Sequence, residues 1–316
     1  MVGKVTDNCK ASASLLPAIM GHSQWSTPNE TLDGVLAHIS GTAEEWTGNE
    51  ATGWGNTLEG VVISETAKRL KIRNYNPEID YAIKHPTIEL ECSLDAEADG
   101  AGQIIRTDAA NGIFCMGTDE IKLVGKGALE SKVTSFRPED VPDLGRGPLQ
   151  LQGQMMCGGY NWGAIGILYQ GIALRVFVFE PHAPTIAAIE DAVRDFDDRL
   201  RSNPTRWYDI NSPADAALIY GEVEERDKPK ELDDSFFALA DEYNGLKSSI
   251  KEANAAIDLI TVKFQEAMGN HSTATVDGYE IKWPMRHTKA QPEKVTPAKE
   301  ATSNRQKTIT VKETKA

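Results

Sequence analysis

The chain has few cysteines and none of them close together. Cys9, Cys92, Cys115 and Cys157 are widely spaced, with no CxxC pair. That spacing disfavours a structural zinc or iron–sulfur site and leaves buried free thiols as the reading. No stretch approaches the roughly 20 apolar residues of a membrane span. The opening MVGKVTDNCKASASLLPAIMG lacks the charged-then-apolar layout and cleavage site of a signal peptide, so a cytoplasmic protein is expected. Basic residues are in deficit: 33 Lys and Arg against 47 Asp and Glu, a net charge of −14. A broad basic footprint for nucleic acid is therefore missing, although a local basic groove is compatible with an acidic exterior. What remains is ordinary for a globular protein: 316 residues, 40% hydrophobic and 25% charged, enough for one large domain or two modest ones.

Thr27 and Glu30 have capping-box spacing and predict a helix from Asn29 to about Ile39. Residues 41–55 are Gly-rich, carry Trp46 and Trp54, and read as a loop. A second helix is expected from Thr57 to Leu70, with Leu58, Val61, Val62, Glu65 and Leu70 in a mostly helical pattern. From about 87 to 134 the pattern changes to short strands, IELECSL, GQIIRT, GIFCMG, EIKLVG and ALESKVT, each bounded by Gly or Asp. Pro138, Pro142 and Pro148 mark a loop before a helix from about Leu149 to Cys157. AIGILYQ and IALRVFVFE, parted by Gly171, read as a buried strand pair. Pro184 opens a helix to about Arg201 with Ile186, Ile189, Val193, Phe196 and Leu200 on one face.

This order describes an α/β core, a central sheet flanked by helices. Residues 231–268 carry apolar residues at helical spacing and predict a long amphipathic helix or helix pair, with a small hairpin over Val276 to Trp283. The tail is rich in Lys, Thr, Pro and Ala and is expected to be disordered. The expected division is a domain over 1–230, a C-terminal helical extension with hairpin over 231–285, and a disordered basic tail over 286–316.

Chemistry concentrates in two places. Glu91, Asp95, Glu97 and Asp99 are four carboxylates on or after one strand. Asp95 is expected on the face opposite Leu90, Cys92 and Leu94, and Asp99-Gly100 is expected to turn. Two Glu-x-Lys strings follow, Glu120-Ile121-Lys122 and Glu130-Ser131-Lys132. In either, Glu and Lys share a strand face. The first, built around Ile121, reads as a half-exposed strand. The second lies between Leu129 and Val133, where a buried Glu and Lys together need a reason. A second carboxylate beside such a pair makes a divalent-metal site with an ammonium at its edge, the minimum for metal-assisted phosphodiester cleavage. The helix from Pro148 carries Gln150, Gln152 and Gln154; the first and third share a face and Gln152 points away.

Five segments, in order, resemble the YqaJ-like and lambda-type phage exonucleases of the PD-(D/E)XK nuclease superfamily. Ser14-Leu15-Leu16-Pro17-Ala18-Ile19-Met20-Gly21 is similar to the family's opening Ser-containing helix. Gly55-Asn56-Thr57-Leu58-Glu59 resembles its G-x-x-x-E, and Cys92-Ser93-Leu94-Asp95 its S-x-D strand. Leu129-Glu130-Ser131-Lys132, trailed by Thr134-Ser135, resembles its E-x-K, and Gln150-x-Gln152-x-x-Met155 its glutamine helix. Together they cover roughly residues 12–200.

The resemblance implies a restriction-endonuclease-like core and selects Asp95 and Glu130 over their rivals. It implies that Asp95, Glu130 and the Ser131 carbonyl hold Mg²⁺, with Mn²⁺ able to substitute. Lys132 would position or deprotonate the attacking water, Glu59 and Gln150 would complete the catalytic set, and Ser14, Ser93 and Gln152 would meet a terminal 5′-phosphate. The implied activity is 5′→3′ degradation of linear double-stranded DNA, leaving 3′ single strands for an annealing protein, with a homotrimer around the DNA. The alternatives are a structure-selective or single-strand endonuclease on the same fold, or a non-catalytic DNA-end-binding protein. The sequence departs from the pattern in three ways. It has no Arg shortly before Ser14, where the nearest cations are Lys4 and Lys10. It is longer between Asp95 and Glu130, where an added hairpin is expected. It is acidic overall, so a DNA track must be local, with Lys68, Arg69, Lys71 and Arg73 as candidates.

Overall fold

A computed structural model describes residues 5–44, 48–221 and 229–285. Lys4, Trp46 and the tail expected to be disordered over 286–316 lie outside the described residues. The chain divides into two units, the first ending at Ile219 and the second starting at Tyr220.

The first unit opens with β1 (Ala11–Ser12), a short helix α1 (Leu16–Ile19) and α2 (Pro28–Ser40). The capping box forms as its spacing dictates. Thr27 Oγ1 accepts the Glu30 N–H at 3.1 Å while Glu30 accepts the Thr27 N–H at 3.0 Å. Helix α3 spans Glu50–Arg69 and so begins well before the expected Thr57. Asn49 accepts the Thr52 N–H at 3.0 Å, and this cap starts the helix despite the glycines of its first turns. Its buried face is Val62, Ile63, Thr66 and Ala67, while Val61 is exposed.

Strands β2 (Asn74–Asn76), β3 (Ile83–Lys84), β4 (Leu90–Cys92), β5 (Ala96–Arg106), β6 (Ile113–Cys115) and β7 (Glu120–Thr134) follow. Two expected breaks are absent. β5 runs through Asp99 and Gly100, and β7 joins EIKLVG to ALESKVT in one strand. The glycines read as strand ends serve close approach instead. A Cβ on Gly100 would stand 2.5 Å from the Leu123 backbone, and one on Gly127 would stand 2.3 Å from the Trp162 ring. The extra length between Asp95 and Glu130 is therefore the two long arms of β5 and β7, with β6 between them in sequence.

Helix α4 (Pro148–Gly158), the hairpin β8 (Gly163–Tyr169) and β9 (Ala173–Phe179), α5 (Ala183–Arg201) and α6 (Pro213–Ile219) complete the unit. The main sheet is six-stranded in the order β2-β5-β7-β8-β9-β6, and a small second sheet has the order β1-β4-β3. β7 is antiparallel to β5 and parallel to β8, so the main sheet is mixed. One face carries α3, packed through Ile63, Ala67 and Leu70 on Leu123, Leu129 and Val176. The other carries α4 and α5, with Leu151, Met155, Ile189 and Phe196 against Ile165, Ile167 and Phe177. The architecture is thus α/β, a central mixed sheet flanked by helices. Cys92, Cys115 and Cys157 are buried free thiols.

The second unit contains α7 (Ser235–Met268), a single long helix, and an antiparallel hairpin of β10 (Thr273–Val276) and β11 (Tyr279–Lys282). Among the described residues no helix is long and apolar enough to cross a membrane.

Candidate active site

The alternation of β7 sends Leu129 to the α3 face and turns Ala128 and Glu130 toward α4. Glu130 is 1% exposed and is the hub of the site. Its Oε1 accepts from Lys132 Nζ at 2.5 Å and from Gln150 Nε2 at 2.8 Å. Its Oε2 accepts from Gln154 Nε2 at 2.6 Å, and the same amide donates to the Ser93 carbonyl at 3.1 Å. Lys132 also donates to Gln150 Oε1 at 2.9 Å. A buried carboxylate is tolerated here because every bond to it is a charged or amide donor.

Asp95 enters from the bend between β4 and β5, just before β5 begins to pair with β7 at Ala96 and Leu129. The Ser131 N–H donates to Asp95 Oδ2 at 2.8 Å. In an extended strand the N–H and C=O of one residue leave on the same side, so the Ser131 carbonyl also faces Asp95. Glu59 lies one turn before Val62 and Ile63 on the same side of α3. Burial pushes the Glu59 carboxyl up, the Glu130 charge adds to this, and Lys132 opposes it. Asp95 is pushed well up, by burial first and then by Glu130 and Glu59, against Lys132 and the Ser131 N–H. For Lys132 burial works downward, but Glu130, Asp95 and Glu59 outweigh it and hold the ammonium above its ordinary value.

The structure therefore brings Asp95, Glu130, Lys132, Ser131, Glu59 and Gln150 together. The competing string lies elsewhere. Glu120 faces solvent and pairs with Arg106 at 2.7 Å, with Ile121 buried between its charged neighbours. Glu97 is taken by Lys126 at 2.6 Å and Tyr160 at 2.7 Å, and Asp99 is exposed.

Ser14 lines a cleft of about 530 Å³ together with Lys132, Gln150, His22 and Arg146. Ser93 stands beside the cluster through its carbonyl bond to Gln154. Gln152 does not join them, a correction to its expected phosphate role. It projects from the opposite side of α4, where its amide donates to the Glu180 carbonyl at 3.0 Å and accepts the His182 N–H at 2.9 Å. The candidate track after α3 is corrected in part as well. Arg69 is tied to the carbonyls of Asn111 and Leu174 at 2.9 and 2.8 Å, and Lys68 to Glu65 at 3.1 Å.

Two residues escaped the sequence reading. Gln154 was legible only as the face-mate of Gln150. Arg146 sits in a Pro- and Gly-rich loop with no periodicity to mark it; it pairs with Glu139 at 2.6 Å and lies 4.3 Å over the Phe136 ring.

Among the described residues no three His, Cys, Asp or Glu side chains converge as a ready-made metal cage. The donor set nevertheless suits a hard divalent cation. Asp95, Glu130 and Glu59 surround one ammonium, and the Asp95 and Glu59 carboxyls are raised by burial first and by the Glu130 charge second, effects that a bound divalent cation would offset.

No family model matches the chain, and no curated protein matches it. The chain is similar in structure to an alkaline exonuclease from Laribacter hongkongensis, at 18% identity and a TM-score of 0.44, over 62% of this chain and 89% of that one. The same protein in complex with dAMP gives the same values. A phage-related exonuclease from Haemophilus somnus matches at 12% identity and a TM-score of 0.37, over 62% and 96% of the two chains. These structure neighbours are exonucleases. At such scores the functional reading rests on the geometry of the site itself.

Proposed function

We propose that the chain is a Mg²⁺-dependent deoxyribonuclease, an exonuclease that degrades linear double-stranded DNA from 5′ ends. The observation that carries this reading is the convergence of Asp95, Glu130, Lys132, Glu59 and Gln150 at a cleft lined by Ser14 and Arg146. Asp95, Glu130 and the Ser131 carbonyl would hold the ion, with Mn²⁺ able to replace it. When bound, it supplies Lewis-acid stabilisation of the phosphate and a more acidic water. Lys132 keeps its proton in the arrangement described, so it orients the attacking water and stabilises charge developing on the phosphate oxygens. Gln150, bonded to both Lys132 and Glu130, fixes the spacing between ammonium and carboxylate. Gln154 holds the other Glu130 oxygen and ties it to the Ser93 carbonyl just past the end of β4. Ser14, Ser93 and Arg146 are proposed to bind the terminal 5′-phosphate, with Arg146 supplying the cation that is missing before Ser14.

By resemblance, the products would be 3′ single strands for an annealing protein, and the working form a homotrimer around DNA in the cytoplasm. The test is digestion of end-labelled linear duplex with Mg²⁺, against closed circular duplex and against Asp95→Ala and Lys132→Ala. The reading expects digestion of linear DNA only, lost in both variants. Cutting of the circle replaces the exonuclease with an endonuclease on the same fold. Tight binding without turnover makes it a DNA-end-binding protein.

A further inference from the structure

Helix α7 carries a heptad register along its whole length. Phe236, Tyr243, Ile250, Ile257 and Phe264 recur every seven residues. Leu239, Leu246, Ala253 and Ile260 recur at the same interval, three residues after the first row. This alternation of three and four makes a straight apolar seam of the coiled-coil kind, not the broader stripe of a helix that packs on a sheet. Most of the seam is left uncovered by the described residues: Leu246 is 59% exposed, Ile250 59%, Ile257 58% and Ile260 52%, and Met268 is the only buried residue of the helix. At 34 residues α7 is about 51 Å long, far more apolar edge than a lone helix keeps in water.

We propose that this seam is a self-association surface, on which a second copy of the chain lays its own α7 to form a coiled coil. The positions flanking the seam single out a second copy. Glu242 precedes one of the Tyr243-row residues, and Lys247 follows Leu246. In a parallel self-pair Glu242 of each chain meets Lys247 of the other. In an antiparallel self-pair centred between Ile250 and Ala253, Glu242 meets Lys263. The remaining flanking residues within the seam, Ser249, Asn254, Ala256 and Thr261, carry no charge, so no like charges oppose one another in either orientation. Ala253 at the centre lets two backbones come close. The inference stands apart from the proposed activity, whose residues all belong to the first unit.

Sedimentation equilibrium of the full chain over nanomolar to micromolar concentrations tests it. The expected result is concentration-dependent association that the double substitution Ile250→Asp, Ile257→Asp weakens more than about 100-fold, since each buried aliphatic lost is worth a tenfold or more. A second double variant, Phe237→Asp with Leu259→Asp, changes exposed apolar residues off the seam, and should associate as the parent does. A parent that is monomeric throughout the range overturns the proposal, whatever else then covers the seam. So does association whose stoichiometry and midpoint the seam substitutions leave unchanged, or that is lost equally in the off-seam variant.

Discussion

Lys132 Nζ stands 2.5 Å from Glu130 Oε1, so the lysine ammonium of the cluster is locked to its most buried carboxylate. Their separation by one residue on β7 makes the contact local, and Gln150 from α4 closes it into a triangle. Glu120 and Lys122 have the same spacing on the same strand and form no such pair, because Glu120 turns to Arg106 at the surface. The proposed function then predicts opposite outcomes for two identical changes. Lys132→Ala should lower Mg²⁺-dependent turnover of linear duplex by about 10²–10⁴-fold, while Lys122→Ala leaves it within about twofold of the parent. Steady-state release of labelled nucleotide measures both.

Burial, Glu130 and Glu59 all oppose a charge on Asp95, against Lys132 and the Ser131 N–H, and push its carboxyl well up. Asp95→Asn keeps an oxygen for the Ser131 N–H and removes that charge. The variant should be inactive and yet melt at a higher temperature than the parent when divalent ions are chelated. Added Mg²⁺ should raise the parent's Tm and leave the variant's nearly unchanged. A lower Tm for the variant in chelator argues against a strained carboxylate cluster.

Arg146 faces the same cleft as Ser14 and Lys132. Arg146→Ala should raise KM for 5′-phosphorylated duplex roughly tenfold or more, the worth of one charge-assisted bond. It should change KM little for 5′-hydroxyl duplex. Equal effects on both ends would place Arg146 elsewhere in DNA binding.

Gln152 is bonded at both ends of its amide inside the fold. Gln152→Ala should therefore cost about 1–3 kcal/mol of stability, the worth of its two hydrogen bonds to the Glu180 carbonyl and the His182 N–H. Discrimination between phosphorylated and hydroxyl ends should be unaltered. Chemical denaturation and the same paired digestion separate the two effects.

Asp215 fixes the start of α2 from a distance: its carboxylate accepts from Thr27 Oγ1 at 2.6 Å and from the Asn211 N–H at 3.2 Å, while its own N–H donates to Ser212 Oγ at 3.0 Å. Burial works upward on this carboxyl, but the hydrogen bonds from Thr27, Asn211 and Ser212 outweigh it and hold it below its ordinary value. A depressed carboxyl stabilises the fold above its unfolded value, and that contribution is lost as pH falls through the lower folded value. Asp215→Asn should thus lower Tm at neutral pH, and the gap from the parent should close as the medium is acidified below about pH 4. Thermal melts across that range give the test.

Much of this was readable beforehand where one local rule acted alone. The Thr27–Glu30 cap, the apolar face of α5 and the opposed faces of Gln150 and Gln152 each follow from spacing, and each is found. The failures share a cause. Gly100, Gly125 and Gly127 read as strand ends because a glycine signals a turn as readily as a close approach. Only the sheet reveals that Leu123 and Trp162 occupy the room of the missing side chains at Gly100 and Gly127. Arg146 was invisible for the opposite reason. A loop residue gains its meaning from what the fold lays beside it, and nothing in the string PDLGRG points to Ser14 or Lys132.

The length of β7 has a consequence for how such a chain can diverge. Its first half, residues 120–127, pairs with β5 alone, and residues 107–119, which hold β6, join the two strands at the end away from Glu130. Insertions in the exposed turns on either side of β6 leave the alternation of the last nine residues of β7 untouched, so those turns are free to acquire new sequence. A single residue added between Gly127 and Glu130 reverses that alternation and turns Glu130 and Lys132 from α4 toward α3. An insertion scan from residue 107 to residue 130 should find tolerance in the turns flanking β6 and loss of the chemistry between Gly127 and Glu130.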